Sequence, residues 1–196
     1  MSTVVVVRKH RIACIAADSL TTFGEQKQLP AYDCHSDKIQ AVGDGAISIV
    51  GSAAHSLVIE SVVRGRRIRF DLRDRLQIFE SFRALHAELK DHYFLNPKEG
   101  EEDSAPYESS RIDALIAQPS GIFGVYALRE VYEYQRFWAI GSGSEYALGA
   151  MHAVYDGDAD AEAIARTGVA AGAEFDTGSV LPMTVRTFTL RDRTQG

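Results

Sequence analysis

The sequence predicts an α+β fold: a four-layer αββα sandwich in which two antiparallel sheets face each other and helices cover both outer sides. Three observations carry that prediction. Strand-like runs come in adjacent pairs joined by short polar turns, so they pair as hairpins. Helical stretches also come in pairs, giving the order strands, two helices, strands, two helices, strand, which is not the alternation of a doubly wound sheet. Several strand runs are apolar at consecutive positions, so they need a covering layer on both faces. The 196 residues are 45% hydrophobic and 24% charged. That composition suits one domain over residues 1–196, with a full core and no covalent staple.

The elements follow in order. "TVVVVR" and "IACIAAD", separated by "KHR", form the first hairpin. "DKIQAVGDGAISIVGS" forms the second, its "GDG" supplying the positive-φ residues of a tight turn. From Ala53 to about Val63 the spacing is helical, with Leu57 and Val58 on one side. A longer helix runs from about Arg73 to Tyr93, with Leu76, Phe79, Phe82, Arg83, Leu85, Leu89 and Tyr93 as its stripe. "NPKEGEEDSAPYES" reads as a polar loop. Three short strands follow, in "IDALIAQ", "GIFGVY" and "VYEYQRFWAIG". Two helices, about 144–155 and 159–173, and an extended "PMTVRTFTL" close the chain.

Composition also excludes. A net charge of −6 argues against nucleic acid and anionic membrane as partners. Basic residues between Arg64 and Arg75 are interrupted by acids, so they read as a solvated face or a subunit contact. No apolar run approaches the ~18 residues of a membrane-spanning helix. The valine run is too short for a signal-peptide core, so the N-terminus reads as mature once Met1 is removed. The two cysteines make no disulfide framework, and Cys14 lies in an apolar strand; the expected location is the cytoplasm. Phosphate-loop, HExxH, CxxC and GxSxG motifs are absent, and His55, His86 and His92 read as structural. No cofactor and no metal site are expected.

What remains is the start of the chain. Ser2 and Thr3 lie directly behind Met1. Asp18 ends the second strand, Lys38 opens the next hairpin, and Gly51 stands at a strand-to-helix junction, where free amides can bind a developing oxyanion. These positions supply a hydroxyl, an acid, a lysine and an oxyanion donor.

Those residues resemble the proteasome β-subunit superfamily of N-terminal nucleophile (Ntn) hydrolases, including the HslV peptidases and the bacterial proteasome homologues. "STVVVVRKHRIACIAAD" is similar to the hairpin that opens that family's mature chain, and "SDKI" to its lysine block. "GSAAH" resembles its oxyanion segment, and "FWAIGSGSEYALGAM" its late Gly-Ser-Gly block. The resemblance spans about three-quarters of the chain and implies the αββα fold of Ntn hydrolases. Carried over, it implies Ser2 as nucleophile in place of threonine, with its own α-amine as general base, through a water. It implies Lys38 as a fixed positive charge held by Asp18, and the Gly51 amide as oxyanion donor. It implies Ser142 as the group that binds the amine and its water, and Asp176 or Glu174 as the late acid.

The activity so implied is a self-compartmentalising peptidase: stacked rings of twelve or fourteen subunits, a peptide or unfolded-protein substrate, and an ATP-dependent unfoldase to feed the chamber. Two alternatives stand beside it, a catalytically silent ring serving as scaffold or chamber, and a small-molecule amidase. Three departures from the family bear on activity. Serine lacks the β-methyl that restricts χ1, which predicts a slower nucleophile. "LPAYDCH" lengthens the segment between Asp18 and Lys38, which reshapes the groove there. A chain that keeps Met1 has no free amine on Ser2 and therefore no general base. Ile49 and Ala53 flank Gly51, which implies a preference for apolar side chains.

Overall fold

The computed structural model describes residues 1–65, 67–97 and 106–192. Strands β1 (Val4–Lys9) and β2 (Ile12–Ala17) form the first hairpin, with Val4 opposite Ala17 and Lys9 opposite Ile12. β10 (Phe137–Ile140) pairs with β1 and β11 (Thr184–Thr189) with β2, giving a four-stranded sheet in the order β10-β1-β2-β11. A five-stranded sheet runs β5 (Ile39–Val42), β6 (Gly45–Gly51), β7 (Ile112–Gln118), β8 (Gly121–Val125) and β9 (Val131–Tyr134), every neighbour antiparallel.

The valine run shows why both faces of a strand are apolar. Val4 and Val6 point between the sheets, where they meet Ile15, Leu115, Ala117 and Ile122. Val5 and Val7 point outward against Met151, Ile164 and Val169 of α3 (Ser144–Tyr155) and α4 (Ala161–Phe175). All four are fully buried, and each contributes about 1.5–3 kcal/mol as an upper estimate. On the opposite outer face, α1 (Ala53–Gly65) and α2 (Arg75–Asp91) cover β6, β7 and β8 through Ile59, Val62, Ile78, Phe82, Leu85 and Leu89. The layers are therefore αββα, as predicted. Cys14 is buried beneath α4, and that burial pushes its thiol up to about 12, so it is inert.

Several local readings need correction. "VYEYQRFWAIG" is not one strand. β9 stays in the five-stranded sheet and β10 crosses to pair with β1, the chain changing sheets at Gln135–Arg136. Leu57 is not a core residue of α1; it is 69% exposed, and His55, Ile59 and Val62 face inward. In α2, Leu76 and Phe79 are exposed and Ile78 takes the buried position, although Phe82, Leu85 and Leu89 are core as expected. That helix starts at Arg75 because the Asp74 carboxylate caps it, accepting from the Gln77 amide at 2.9 Å. Asp160 does the same for α4, accepting from Ala163 N at 2.8 Å.

A small hairpin, β3 (Thr21–Phe23) with β4 (Gln26–Gln28), and a 3-10 turn over Pro30–Tyr32 were not foreseen. Much of the polar loop over 96–109 lies outside the described residues. The arginines between 64 and 75 are engaged: Arg64 with Glu60, Arg67 with Glu88, Arg69 and Arg73 with Asp71, and Arg75 with the Val131 carbonyl; Arg66 lies outside the described residues. Among the described residues, no helix is long and apolar enough to cross a membrane.

Candidate active site

Ser2 stands one residue before Thr3 at the entrance of β1, in the middle of the four-stranded sheet. Pairing of Val4 with Ala17 brings Asp18 beside Thr3. The Thr3 amide donates to Asp18 Oδ1 at 2.9 Å, and the Asp18 amide donates to the Thr3 carbonyl at 3.1 Å. Lys38, just ahead of β5, reaches across from the other sheet. Its Nζ donates to Asp18 Oδ1 at 2.7 Å and to Ser2 Oγ at 3.0 Å. Asp18 Oδ2 accepts from the amides of Leu20 (2.9 Å) and Val180 (3.3 Å). A carboxylate 1% exposed is tolerated because it is both paired and fully hydrogen-bonded. Burial pulls the Lys38 ammonium below the usual lysine range, and Asp18 opposes that pull without cancelling it.

The other side of Ser2 is made by late segments. The Ser2 N–H donates to Ser142 Oγ at 3.2 Å, and the Ser142 hydroxyl donates to Asp176 Oδ2 at 2.7 Å. Ser179 donates to the same oxygen at 2.8 Å. Burial pushes the Asp176 carboxyl up, but hydrogen bonds from the Ser142 and Ser179 hydroxyls and the Gly178 amide outweigh it, so the group sits below its ordinary value. Asp176 caps the end of α4, whereas Glu174 is exposed and makes no part of this cluster; of the two acids the sequence offered, the geometry brings in Asp176. The turn after β10 touches the backbone of Ser2. Gly141 has φ +94°, and a Cβ there would lie 2.1 Å from the Ser2 carbonyl oxygen, so only glycine fits. Gly143 N–H donates to that oxygen at 3.3 Å.

With Met1 in place, Ser2 Oγ donates to the Met1 carbonyl oxygen. Ser2 N is then a peptide nitrogen with one proton and no basicity. Ser2 and Lys38 open onto a cleft of about 740 Å³. Gly51, at the end of β6 with φ +123°, lines it together with Ile49, Ala53 and Leu57. Leu57 is exposed in the folded chain because it faces this cleft. Asp33, Cys34 and His35, from the lengthened segment, form part of the wall, and Thr21 and Thr22 of β3 form another.

The structure thus brings Ser2, Asp18, Lys38, Ser142 and Asp176 into one connected set and places Gly51 in the same cleft. Sequence reasoning missed Ser179 and Thr3, whose hydroxyls meet at 2.7 Å. The available signals were slight: Ser179 follows Asp176 by three residues, and Thr3 neighbours Ser2. Among the described residues, no group of three or more His, Cys, Asp or Glu side chains could hold a metal ion.

No protein-family model and no curated protein matches the chain. Solved structures do. The chain is similar to Thiobacillus denitrificans BPH in complex with epoxomicin, at 43% identity over 97% of this chain and 100% of that one, with a TM-score of 0.90. It is equally similar to a second structure of Thiobacillus denitrificans BPH, at 43% identity, 96% and 98% coverage and a TM-score of 0.90. HslV from Trypanosoma brucei shares the fold at 20% identity, covering 95% of this chain and 99% of that one, with a TM-score of 0.66. On the 43% identity across 97% of its length, the chain belongs to the proteasome β-subunit/HslV-like family of N-terminal nucleophile hydrolases.

Proposed function

We propose that this protein is a self-compartmentalising ring peptidase that cleaves peptide bonds with Ser2 as nucleophile after Met1 has been removed. One observation carries the reading. The Ser2 hydroxyl receives a hydrogen bond from Lys38, itself paired with buried Asp18, while the Ser2 nitrogen faces the Ser142–Asp176 pair.

With Met1 gone, the Ser2 nitrogen becomes an α-amine of ordinary pKa ~7.7–8.0, suited to base work near neutrality. It takes the Oγ proton through a water as Oγ attacks the scissile carbonyl carbon. Lys38 stays protonated and favours the developing alkoxide. The Gly51 N–H donates a hydrogen bond to the oxyanion, a role whose loss costs roughly 2.7–4 kcal/mol. Collapse breaks the C–N bond, the ammonium returns its proton to the leaving amine, and a Ser2 ester remains. A water deprotonated by the same amine attacks the ester, releasing the acid product and restoring the hydroxyl. Ile49, Ala53 and Leu57 favour an apolar side chain beside the scissile bond.

Assembly into stacked rings of twelve or fourteen cytoplasmic subunits, with an unfoldase feeding them, belongs to the same proposal. The exposed, mutually packed Tyr146, in the first turn of α3, and Phe175, at the C-terminal end of α4, support a covered face there. Ser2→Ala and Lys38→Ala in Met-processed protein are each expected to abolish peptide hydrolysis; unchanged turnover in either overturns the mechanism. For any chain that keeps Met1, the Ser2 nitrogen is a peptide nitrogen without basicity, and the second reading, a silent ring, applies. Processed and unprocessed fractions assayed side by side separate the two.

A further inference from the structure

Thr3 is fully buried, touches no substrate and has no step in the reaction above. Yet every polar group it owns is committed. Its amide and carbonyl are both tied to Asp18, on the lysine side of Ser2. Its hydroxyl meets Ser179 at 2.7 Å, on the Asp176 side. Its side chain fills a niche between two glycines on separate elements. A Cβ at Gly143 would lie 2.0 Å from Thr3 Oγ1, and one at Gly172 would lie 2.2 Å from Oγ1 and 2.6 Å from Cγ2. Thr3 therefore joins the two halves of the site across the residue that carries the nucleophile.

The proton order in this chain of hydroxyls can be worked out. Ser179 and Ser142 each spend their single proton on the Asp176 carboxylate. The Thr3 hydroxyl must then donate to Ser179. Ser142 Oγ is left with lone pairs only, facing the Ser2 nitrogen, which must donate to it. The chain thus runs one way from each end: Thr3 to Ser179 to Asp176, and Ser2 to Ser142 to Asp176.

We propose that Thr3 is a positioning residue, which clamps the strand bearing Ser2 and, through Ser179 and Asp176, sets how strongly Ser142 holds the Ser2 amine. This rests on the reading of Ser2 as an N-terminal nucleophile. The sign follows from the chain. Donation by Thr3 makes Ser179 a stronger donor, because successive hydrogen bonds polarise one another by ~10–30% per bond. Asp176 is then less basic and pulls less on the Ser142 proton. Without the Thr3 hydroxyl, Asp176 pulls harder, Ser142 Oγ becomes a better acceptor, and the protonated amine is favoured. The charged groups facing the amine are Asp176 through Ser142 on one side and Lys38 with Asp18 on the other, so the other charges are unchanged by the substitution.

The test uses Thr3→Val, which keeps the shape and loses the hydroxyl, and Thr3→Ser, which keeps the hydroxyl and loses the methyl. In Met-processed protein labelled with ¹⁵N-serine, the Ser2 amine is titrated by NMR, and kcat and KM are followed against pH on a peptide substrate. Thr3→Val is expected to raise the amine pKa by a few tenths of a pH unit and to move the acid limb of kcat/KM by the same amount. It should lower kcat on the order of tenfold, with KM within about twofold. Thr3→Ser is expected to return both the titration and the acid limb to the wild-type position. An unmoved amine in folded Thr3→Val, or equal displacement in Thr3→Ser, overturns the proposal. Turnover persisting in Ser2→Ala overturns the nucleophile assignment instead, and the NMR titration still reports on Thr3 in that case.

Discussion

Asp18→Asn tests how the buried charge pair holds the site. The wild-type carboxylate accepts from four donors: Thr3 N and Lys38 Nζ on Oδ1, Leu20 N and Val180 N on Oδ2. Asparagine has one acceptor oxygen. If that oxygen faces Thr3 and Lys38, the amide NH₂ meets the two backbone N–H groups of Leu20 and Val180 head-on. The reverse flip opposes it to Thr3 N and Lys38. Either way two buried donors lose their acceptor, each costing about 1–3 kcal/mol. Lys38, with its side chain 16% exposed, also loses its countercharge. Removing one member of a buried pair costs about 3–5 kcal/mol, and these terms overlap, so the expected loss of stability is about 3–5 kcal/mol. Lys38 should respond as well. Burial already draws its proton affinity down and Asp18 resists, so without Asp18 the ammonium deprotonates at still lower pH. Urea unfolding followed through Trp138, the single tryptophan, reads the first effect; kcat/KM against pH reads the second, as an alkaline limb shifted toward neutrality. A loss below about 1 kcal/mol, with the alkaline limb unmoved, would show that the Asp18–Lys38 pair does not hold the site.

Two further predictions concern charge. Lys38→Arg keeps a cation that does not titrate, so the alkaline limb expected of the wild type from its lowered Lys38 should vanish from the pH profile even as the longer side chain lowers the rate; a limb retained at the same pH would exclude Lys38 as its source. Asp71 is held at about 2 by hydrogen bonding to Arg73, against an ordinary 3.8. Its depressed value stabilises the fold above pH 3.8, and that contribution is lost as pH falls through about 2. Asp71→Asn should therefore lower Tm at neutral pH, with the difference from wild type closing toward pH 2; a constant difference across that window would contradict the assignment.

The sheets and the pairing of the helices were legible because a strand apolar on both faces demands a layer on each side, and Val4–Val7 meet that demand literally. The crossing between β9 and β10 was not, since Gln135 and Arg136 are ordinary strand-loop residues and the decision lies in what β1 offers Phe137–Ile140 as a partner. The inward face of α2 was misjudged at its start because Leu76, Ile78 and Phe79 are all apolar, and only packing against β9 decides among them. The β3–β4 hairpin carries no hydrophobic period, its strands reading TTF and QKQ. In the site, Ser2, Asp18, Lys38 and Gly51 could be picked out as chemistry at element ends. Ser142 and Asp176 came from resemblance alone. Thr3 and Ser179 escaped because a small hydroxyl residue has no signature until the fold closes its hydrogen bonds.

The whole reading turns on the Ser2 nitrogen. Intact-mass spectrometry of the purified protein, before and after incubation with an epoxyketone probe, measures its state directly. The expected result is a chain lighter by Met1 that gains the mass of one inhibitor, with no gain in Ser2→Ala. A Met1-free chain that gains nothing, or an equal gain in Ser2→Ala, would contradict Ser2 as the nucleophile.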